Sequence, residues 1–594
     1  MKSNRFFCLV IILLTVLAYS NSFQNSFQFD DYHVIERNPF IKDPGRIFQF
    51  FVDPRLGSGL CGETGSYRPL LMASLSLNYS LGGLNVFGYH LFNFLVHLFC
   101  ALLVFFITLY FFRFSSDPSD PHTLRDPLAA LFAALIFGLH PVQVESVTYI
   151  SSRSSSLAAL FYLASFFAYM QCRLTGKMRY LVFSFLAYGG TLLVKETGIT
   201  LLAILFLFNF MFPHGRSSKS RYVSLLPHFL LSLVYIGIRI YFFSSLPYSR
   251  PPVRSFYDHI LTQPRAWVHY LGTLILPLNL NVDYDFPVAH SLLENGVILN
   301  LFLLVGLALL ILWLSRSNRA IGFWALWFAI NLAPTNSLII LEDLVADRWL
   351  YLSSVGYAVL LAYGVSWVYQ RLVEGRSRAI QLIFFFFCAL TVELYGYSTL
   401  LRNFDWRSQR TLWEDAMTKS PLKARPYNGL GLALVLNHRL AEGAKYFQQA
   451  IILEPRWGQP YLNLGYVYSL QKNLDKAMEY YEKAIPLLND TFLPDAYNNL
   501  GVVYLERERM EEAKKCFIRA MEIRPHDPGA YCNLAAYYVK KGDTDQAIHF
   551  YETSAKLAPE LPSIQGALSI LYERKGWKEK SKEAYQRFLK NSPR

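Results

Sequence analysis

Over the first 400 or so positions apolar residues come in long unbroken runs, not at the intervals of 2 or 3.6 residues that mark a half-buried strand or helix. A helix needs about 20 such residues to cross a bilayer. Runs near that length lie at 6–23, 89–112, 127–144, 155–171, 180–194, 198–213, 222–243, 294–314, 320–339, 349–370 and 379–401, which predicts eleven crossings. The first run follows Lys2 and Arg5 and passes into Asn, Gln and Phe with no small-x-small site before Asp30, so it reads as an uncleaved anchor and not as a cleaved signal. Residues 264–279, with the short apolar stretch Trp267–Leu278 between Pro264 and Pro277, read as an interfacial or re-entrant piece.

The pattern changes near residue 405. Lys, Glu, Gln and Asn become frequent, and the chain starts to repeat itself. Tyr427, Tyr461, Tyr497, Tyr531 and Gln565 head copies spaced 34, 36, 34 and 34 apart. Leu follows three residues on in every copy, and Gly follows four on as Gly431, Gly465 and Gly501. An aromatic recurs twenty on as Phe447, Tyr481, Phe517, Tyr551 and Tyr585, and Pro twenty-eight on as Pro455, Pro525, Pro559 and Pro593. This is the tetratricopeptide pattern of paired helices, with five repeats starting near 424, 458, 494, 528 and 562. The predicted fold is all-α: a polytopic membrane helix bundle over 1–404, then an α-solenoid over 405–594. The inner face of such a solenoid binds a peptide or protein partner; a rigid spacer is the plainer use.

Composition supports the division. The chain is 53% hydrophobic and 17% charged, against roughly 25% charged in a soluble protein. Its net charge of +13 is carried largely in short loops: Arg113 and Arg125; Arg173, Lys177 and Arg179; Arg216, Lys219 and Arg221; Arg316 and Arg319; Arg371, Arg376 and Arg378. Basic loops lie on the cytoplasmic side. With an odd number of crossings, the loop after the first helix and the C-terminal region then share the outer side. No nucleic-acid-binding signature accompanies the charge, so it implies no nucleic acid. Seven scattered Cys without a CxxC pair make neither a disulfide framework nor a zinc site.

Four polar clusters interrupt the apolar half, all on the predicted outer face, where ionisable groups are costly unless used. In Phe29-Asp30-Asp31-Tyr32, adjacent carboxylates suit a general base or a cation site, or simply cap a helix. His140-Pro-Val-Gln-Val-Glu145-Ser, followed by Ser151-Ser-Arg153, is a second acidic site or an interfacial turn. Lys195-Glu196, in the tight turn Val194–Gly198, is a local ion pair or a cation offered to phosphate. Asp347-Arg348-Trp349 either snorkels to the interface or grips phosphate with the Arg fork.

Taken together these motifs resemble a known family. Phe29-Asp30-Asp31-Tyr32 with Asn38-Pro39, then Tyr67-Arg68-Pro69-Leu70, Leu77-Asn78-Tyr79, Gly88-Tyr89-His90-Leu91-Phe92-Asn93, His140-Pro141 with Glu145, Val194-Lys195-Glu196-Thr197-Gly198 and Asp347-Arg348-Trp349-Leu350-Tyr351-Leu352 are similar, in this order, to the transmembrane and tetratricopeptide-repeat O-mannosyltransferases of the GT-C glycosyltransferases. Ser146, Ser152, Thr197, Asp347 and Ser353 depart from the family pattern. The resemblance implies a GT-C membrane bundle and a polyprenyl- or dolichyl-phosphate-linked sugar donor. It also implies inverting transfer to a hydroxyl, often a protein Ser or Thr. On that basis Asp30, with Asp31, is expected to be the base, Glu145 a further carboxylate of the site, and Lys195 and Arg348 the phosphate contacts. His140, Arg153, Glu196 and Asp347 would support them. Metal dependence stays open. A non-catalytic membrane-anchored repeat scaffold is the alternative, but it leaves the polar clusters without a use. A transporter would place its charges near the midplane. The simple loops favour a bacterial or archaeal cell membrane over the endoplasmic reticulum.

Overall fold

In the computed structural model of the chain, residues 2–58, 67–115, 127–213, 222–243, 254–294, 296–559 and 561–591 are described. Arg125, Arg216, Lys219, Arg221 and Pro593, which enter the sequence argument, lie outside them. Every regular element among the described residues is helical. Two compact units are present: Met1–Gly57 with Thr64–Ser420, and a second that holds Pro421–Arg594.

The first unit contains α1 (Lys2–Tyr19), α2 (Pro69–Gly82), α3 (Val86–Ser115), α4 (Pro127–Leu139), α5 (Arg153–Thr175), α6 (Met178–Val194), α7 (Thr200–Met211), α8 (Leu226–Phe243), α9 (Phe256–Ile275), α10 (Val297–Ser317), α11 (Arg319–Ala333), α12 (Leu350–Val368), α13 (Arg378–Asp405) and α14 (Gln409–Lys419). Six helices among the described residues are long and apolar enough to cross a membrane, or seven if Pro127–Leu139 and Pro141–Val147, bent by 47°, form one span. Each of the eleven expected runs is helical at its centre, but Asn4–Tyr19, Met178–Val194 and Glu196–Met211 are shorter than a full span, and α11 has only 15 residues. The helices shorten where polar turns cut the runs, as at Lys195-Glu196. On α10 the side chains of Phe302 and Leu312 are 70% and 62% exposed. Such a surface needs an apolar solvent.

Residues 264–275 continue α9, which carries Pro264 inside it and has two faces. His259, Gln263, Ala266, Tyr270 and Leu274 are buried, while Phe256, Tyr257 and Ile260 are exposed. The helix is not among those long and apolar enough to cross.

The second unit contains α15 (Ala424–Leu436), α16 (Leu440–Leu453), α17 (Gly458–Leu470), α18 (Leu474–Ala484), α19 (Leu493–Glu506), α20 (Met510–Ile523), α21 (Pro528–Lys541), α22 (Thr544–Leu557), α23 (Pro562–Arg574) and α24 (Lys578–Asn591). They pack as consecutive hairpins. The recurring Gly lets the ring of the second helix lie on the backbone of the first: a Cβ on Gly465 would stand 2.8 Å from the Tyr481 ring.

Candidate functional site

The four clusters, far apart in sequence, meet in the first unit. The loop after α1 packs on the segment that enters α5. The Asp30 N–H donates to the Tyr149 hydroxyl at 3.1 Å. Asp31 is buried; its carboxylate accepts from the Gln28 N–H at 2.9 Å, the Ser151 N–H at 2.8 Å and the Ser151 hydroxyl. The two neighbours therefore do different things. Asp31 is saturated and ties two segments together. The Asp30 side chain is 62% exposed and touches His33 Nε2 at 3.2 Å.

Their acidities diverge for the same reason. Burial pushes the Asp31 carboxyl up to about 7, against its three donors. At Asp30 desolvation by the surrounding walls also acts upward, but His33, Tyr149 and the Arg348 charge outweigh it, so its carboxyl lies below the ordinary value. The preceding Phe29 has φ +43°, uncommon for an aromatic residue, and its ring lies 4.5 Å from that of Trp413. Strain of this kind costs about 1–3 kcal/mol and persists only where packing enforces it.

Glu145, 3% exposed, sits on the short turn Val144–Val147. It accepts from the Arg348 N–H at 2.9 Å and from the Arg348 guanidinium at 2.6 Å. The other arm of that guanidinium donates to Asp343 at 2.8 Å. The cation expected to meet phosphate is thus clamped between two carboxylates. Lys195 is differently placed. Its ammonium donates to the Ser155 hydroxyl at 2.8 Å and lines a small cavity with Thr197, Asn331, Arg348 and Trp349. Burial, then the nearby Arg68, bring it down to about 7. Glu196 accepts from Arg68 at 2.9 and 3.3 Å. Gly198 closes this turn against the Thr191 side chain, where a Cβ has no room.

The supporting residues divide. His140 is buried, with Nδ1 accepting from the Val142 N–H at 3.2 Å and Nε2 facing the Leu274 carbonyl at 2.9 Å; it fixes the break after α4. Arg153 is buried against Asn93 (2.6 Å), the Ser74 and Tyr89 carbonyls (both 3.2 Å) and the Phe92 ring (4.4 Å), so it bolts α5 to α2 and α3. Asp347 is buried and accepts from the Tyr284 hydroxyl at 2.7 Å. Among the described residues no group of three or more His, Cys, Asp or Glu is placed to hold a metal ion. Sequence reasoning missed Tyr149, Asp343 and Arg239. Only Arg239 left a signal, as a lone cation inside an apolar run.

Tetratricopeptide-repeat family models match residues 459–488 and 492–560. The chain is 25% identical over 519 residues to the protein O-mannosyl-transferase Tmtc3 of Drosophila melanogaster, covering 75% of this chain and 55% of that one. It is 24% identical to the TMTC3 and 26% identical to the TMTC4 protein O-mannosyl-transferases of Homo sapiens, covering 74% of this chain and 50% and 65% of those. The resemblance to the transmembrane and tetratricopeptide-repeat O-mannosyl-transferases holds. The chain spans about half the length of the TMTC3 relatives it matches. Among solved structures, a tetratricopeptide-repeat protein, YrrB, aligns with 30% of this chain at 20% identity and a TM-score of 0.25.

Proposed function

We propose that this multi-pass membrane protein is a glycosyltransferase. It moves mannose or a related hexose from a polyprenyl- or dolichyl-phosphate donor to a hydroxyl, that of a Ser or Thr in a protein, at the extracytoplasmic face. The observation that carries this is Arg348, which is clamped by Glu145, acts on the open carboxylate of Asp30 and lines one cavity with Lys195, in a chain whose relatives are named protein O-mannosyl-transferases.

The residues suit a single displacement. Asp30 takes the proton as the acceptor oxygen bonds to the anomeric carbon. The bond from that carbon to the phosphate oxygen breaks with inversion, and the lipid phosphate leaves with the electron pair. Its growing negative charge is met by Lys195. Arg348, held by Glu145 and Asp343, fixes the geometry of the carboxylates. Asp31 holds the Asp30 loop in place. The repeats bind or present the polypeptide that carries the acceptor. Glycopeptide analysis of cell-envelope or secretory proteins, with and without the gene, tests the assignment. Loss of O-linked hexose on a set of Ser or Thr sites supports it; an unchanged glycopeptide set refutes it.

A further inference from the structure

Asparagines recur on the first helix of four successive repeats: Asn428 on α15, Asn463 on α17, Asn498 and Asn499 on α19, and Asn533 on α21. Each stands one or two residues after the leading Tyr of its repeat, on the same turn of the helix. These first helices lie side by side, α15 on α17 on α19 on α21, while the second helices do not approach one another as closely. The array is therefore tighter on the first-helix side, and the amides line the inside of its curve.

The amides pair from one repeat to the next. Asn463 Nδ2 donates to Asn428 Oδ1 at 2.9 Å, and Asn533 Nδ2 to Asn498 Oδ1 at 3.4 Å. A side-chain amide has two donors and an acceptor oxygen with two lone pairs. Each pair therefore keeps a carbonyl oxygen, on Asn463 or Asn533, and an NH2 group, on Asn428 or Asn498, that no described residue engages and that stay open to solvent. Stacking of the repeats does not call for these pairs. Between α17 and α19 the position equivalent to Asn428 is Leu462, and between α21 and α23 the equivalent positions are Cys532 and Ala567.

A carbonyl beside an NH2 is the complement of the N–H and C=O of a peptide main chain. The two pairs stand two helix spacings apart, about 20 Å at the usual 8–10 Å between packed helices. An extended strand covers that in about six residues at about 3.3 Å each, and an even number brings the same strand edge back to the amides. One and two turns further along, Leu432 and Leu436 of α15 and Tyr466 and Leu470 of α17 are exposed together.

We propose that this inner face binds an extended polypeptide by its main chain, through Asn428–Asn463 and Asn498–Asn533, and that the Leu436 and Leu470 patch takes an apolar side chain. The occupant is an unfolded segment, because a folded partner has its main-chain groups bonded already. Its sequence matters little to the amides. This rests on the protein acceptor given under the proposed function, and it adds how that polypeptide is held.

The test uses the full-length protein in detergent and a fluorescent peptide of Ser, Thr and Leu, about twelve residues long so that it spans both pairs. Its companions are a scrambled peptide, an analogue N-methylated at every backbone nitrogen, and a peptide with Ser in place of every Leu. The peptide and its scramble are expected to bind within threefold of each other, the methylated analogue at least tenfold more weakly, and the Leu-free peptide severalfold more weakly. The double variant Asn463→Ala, Asn533→Ala should lose at least tenfold in binding with its helical circular dichroism unchanged. If that variant does not fold, the methylated analogue on the wild type carries the test. Sugar transfer from the lipid donor to the same peptide is measured beside binding, so the two readings fail separately. If the methylated analogue binds as tightly as the peptide, or the folded double variant binds within twofold of the wild type, the main chain is not held here and the inference falls, while transfer by the wild type keeps the transferase. A scramble tenfold weaker, or no binding of any probe, also overturns it. Equal binding of the Leu-free peptide removes the apolar patch from the site. Binding as expected with no transfer keeps the groove and sinks the acceptor assignment.

Discussion

At the level of single residues, two adjacent aspartates have become different chemical groups because of what surrounds them. Asp31 is raised to about 7 by burial. A carboxyl raised in the folded state binds its proton more tightly there, so its contribution to stability is full below the unfolded value near 4 and is lost as pH rises through about 7. The melting temperature should therefore drift down between pH 4 and 7, and Asp31→Asn, which is neutral throughout, should flatten that drift; thermal melts of both proteins across this range check it. Lys195 titrates in the opposite sense. Brought down to about 7, it carries its charge below that pH and loses it above. For the uncomplexed enzyme, kcat/KM for the donor should fall as pH rises through about 7, by as much as tenfold per unit, and Lys195→Arg, charged at every pH, should remove that limb. A pH–rate profile of the two proteins decides. Neither behaviour was legible in the sequence, where Asp30-Asp31 and Lys195-Glu196 are equivalent-looking pairs. The difference comes from burial, which only folding decides: it raises Asp31 against its three donors and, with Arg68 nearby, lowers Lys195.

Helices were far easier to read than sites. Long apolar runs and a repeat with fixed Leu, Gly and aromatic positions specify helices by length and period alone. Where the reading was less complete, a polar turn is the cause. The Lys195–Gly198 turn splits two apolar runs into α6 and α7, each shorter than a bilayer-spanning helix. At His140-Pro141 the missing N–H of Pro141 and the His140 side chain together end α4 and bend the segment by 47°. Local chemistry thus breaks an element whose hydropathy looks continuous. In the repeats the critical contact is between helices of one hairpin. Gly465→Ala would push a methyl group against the Tyr481 ring, and overpacking of this type costs about 1–3 kcal/mol. The expected result is a lower urea midpoint for unfolding of the repeat unit with an unchanged slope. Gly237→Ala on α8, where a Cβ meets nothing within 4 Å, should leave the thermal melting of the first unit unchanged.

For the whole molecule, the sequence put four polar clusters on one predicted membrane face, and in the folded chain Asp30, Glu145, Lys195 and Arg348 lie in one region near the start of α5. Their order along the chain says nothing about which cation is clamped and which is open. That depends on Asp343, which lies in the loop just before the Asp347-Arg348 motif but outside it, and holds the second arm of Arg348. The central claim is that Asp30 removes the acceptor proton during sugar transfer from a lipid phosphate. The most direct measurement is the transfer of radiolabelled mannose from a polyprenyl- or dolichyl-phosphate donor to a Ser/Thr polypeptide by purified wild-type and Asp30→Asn protein, at saturating donor. General-base loss typically costs about 10²–10⁴-fold. The account predicts label in the polypeptide with the wild type, a fall of that size in kcat for Asp30→Asn, and little change in donor KM. Transfer by Asp30→Asn at near wild-type rate, or no transfer by well-folded wild type from either donor, would contradict it.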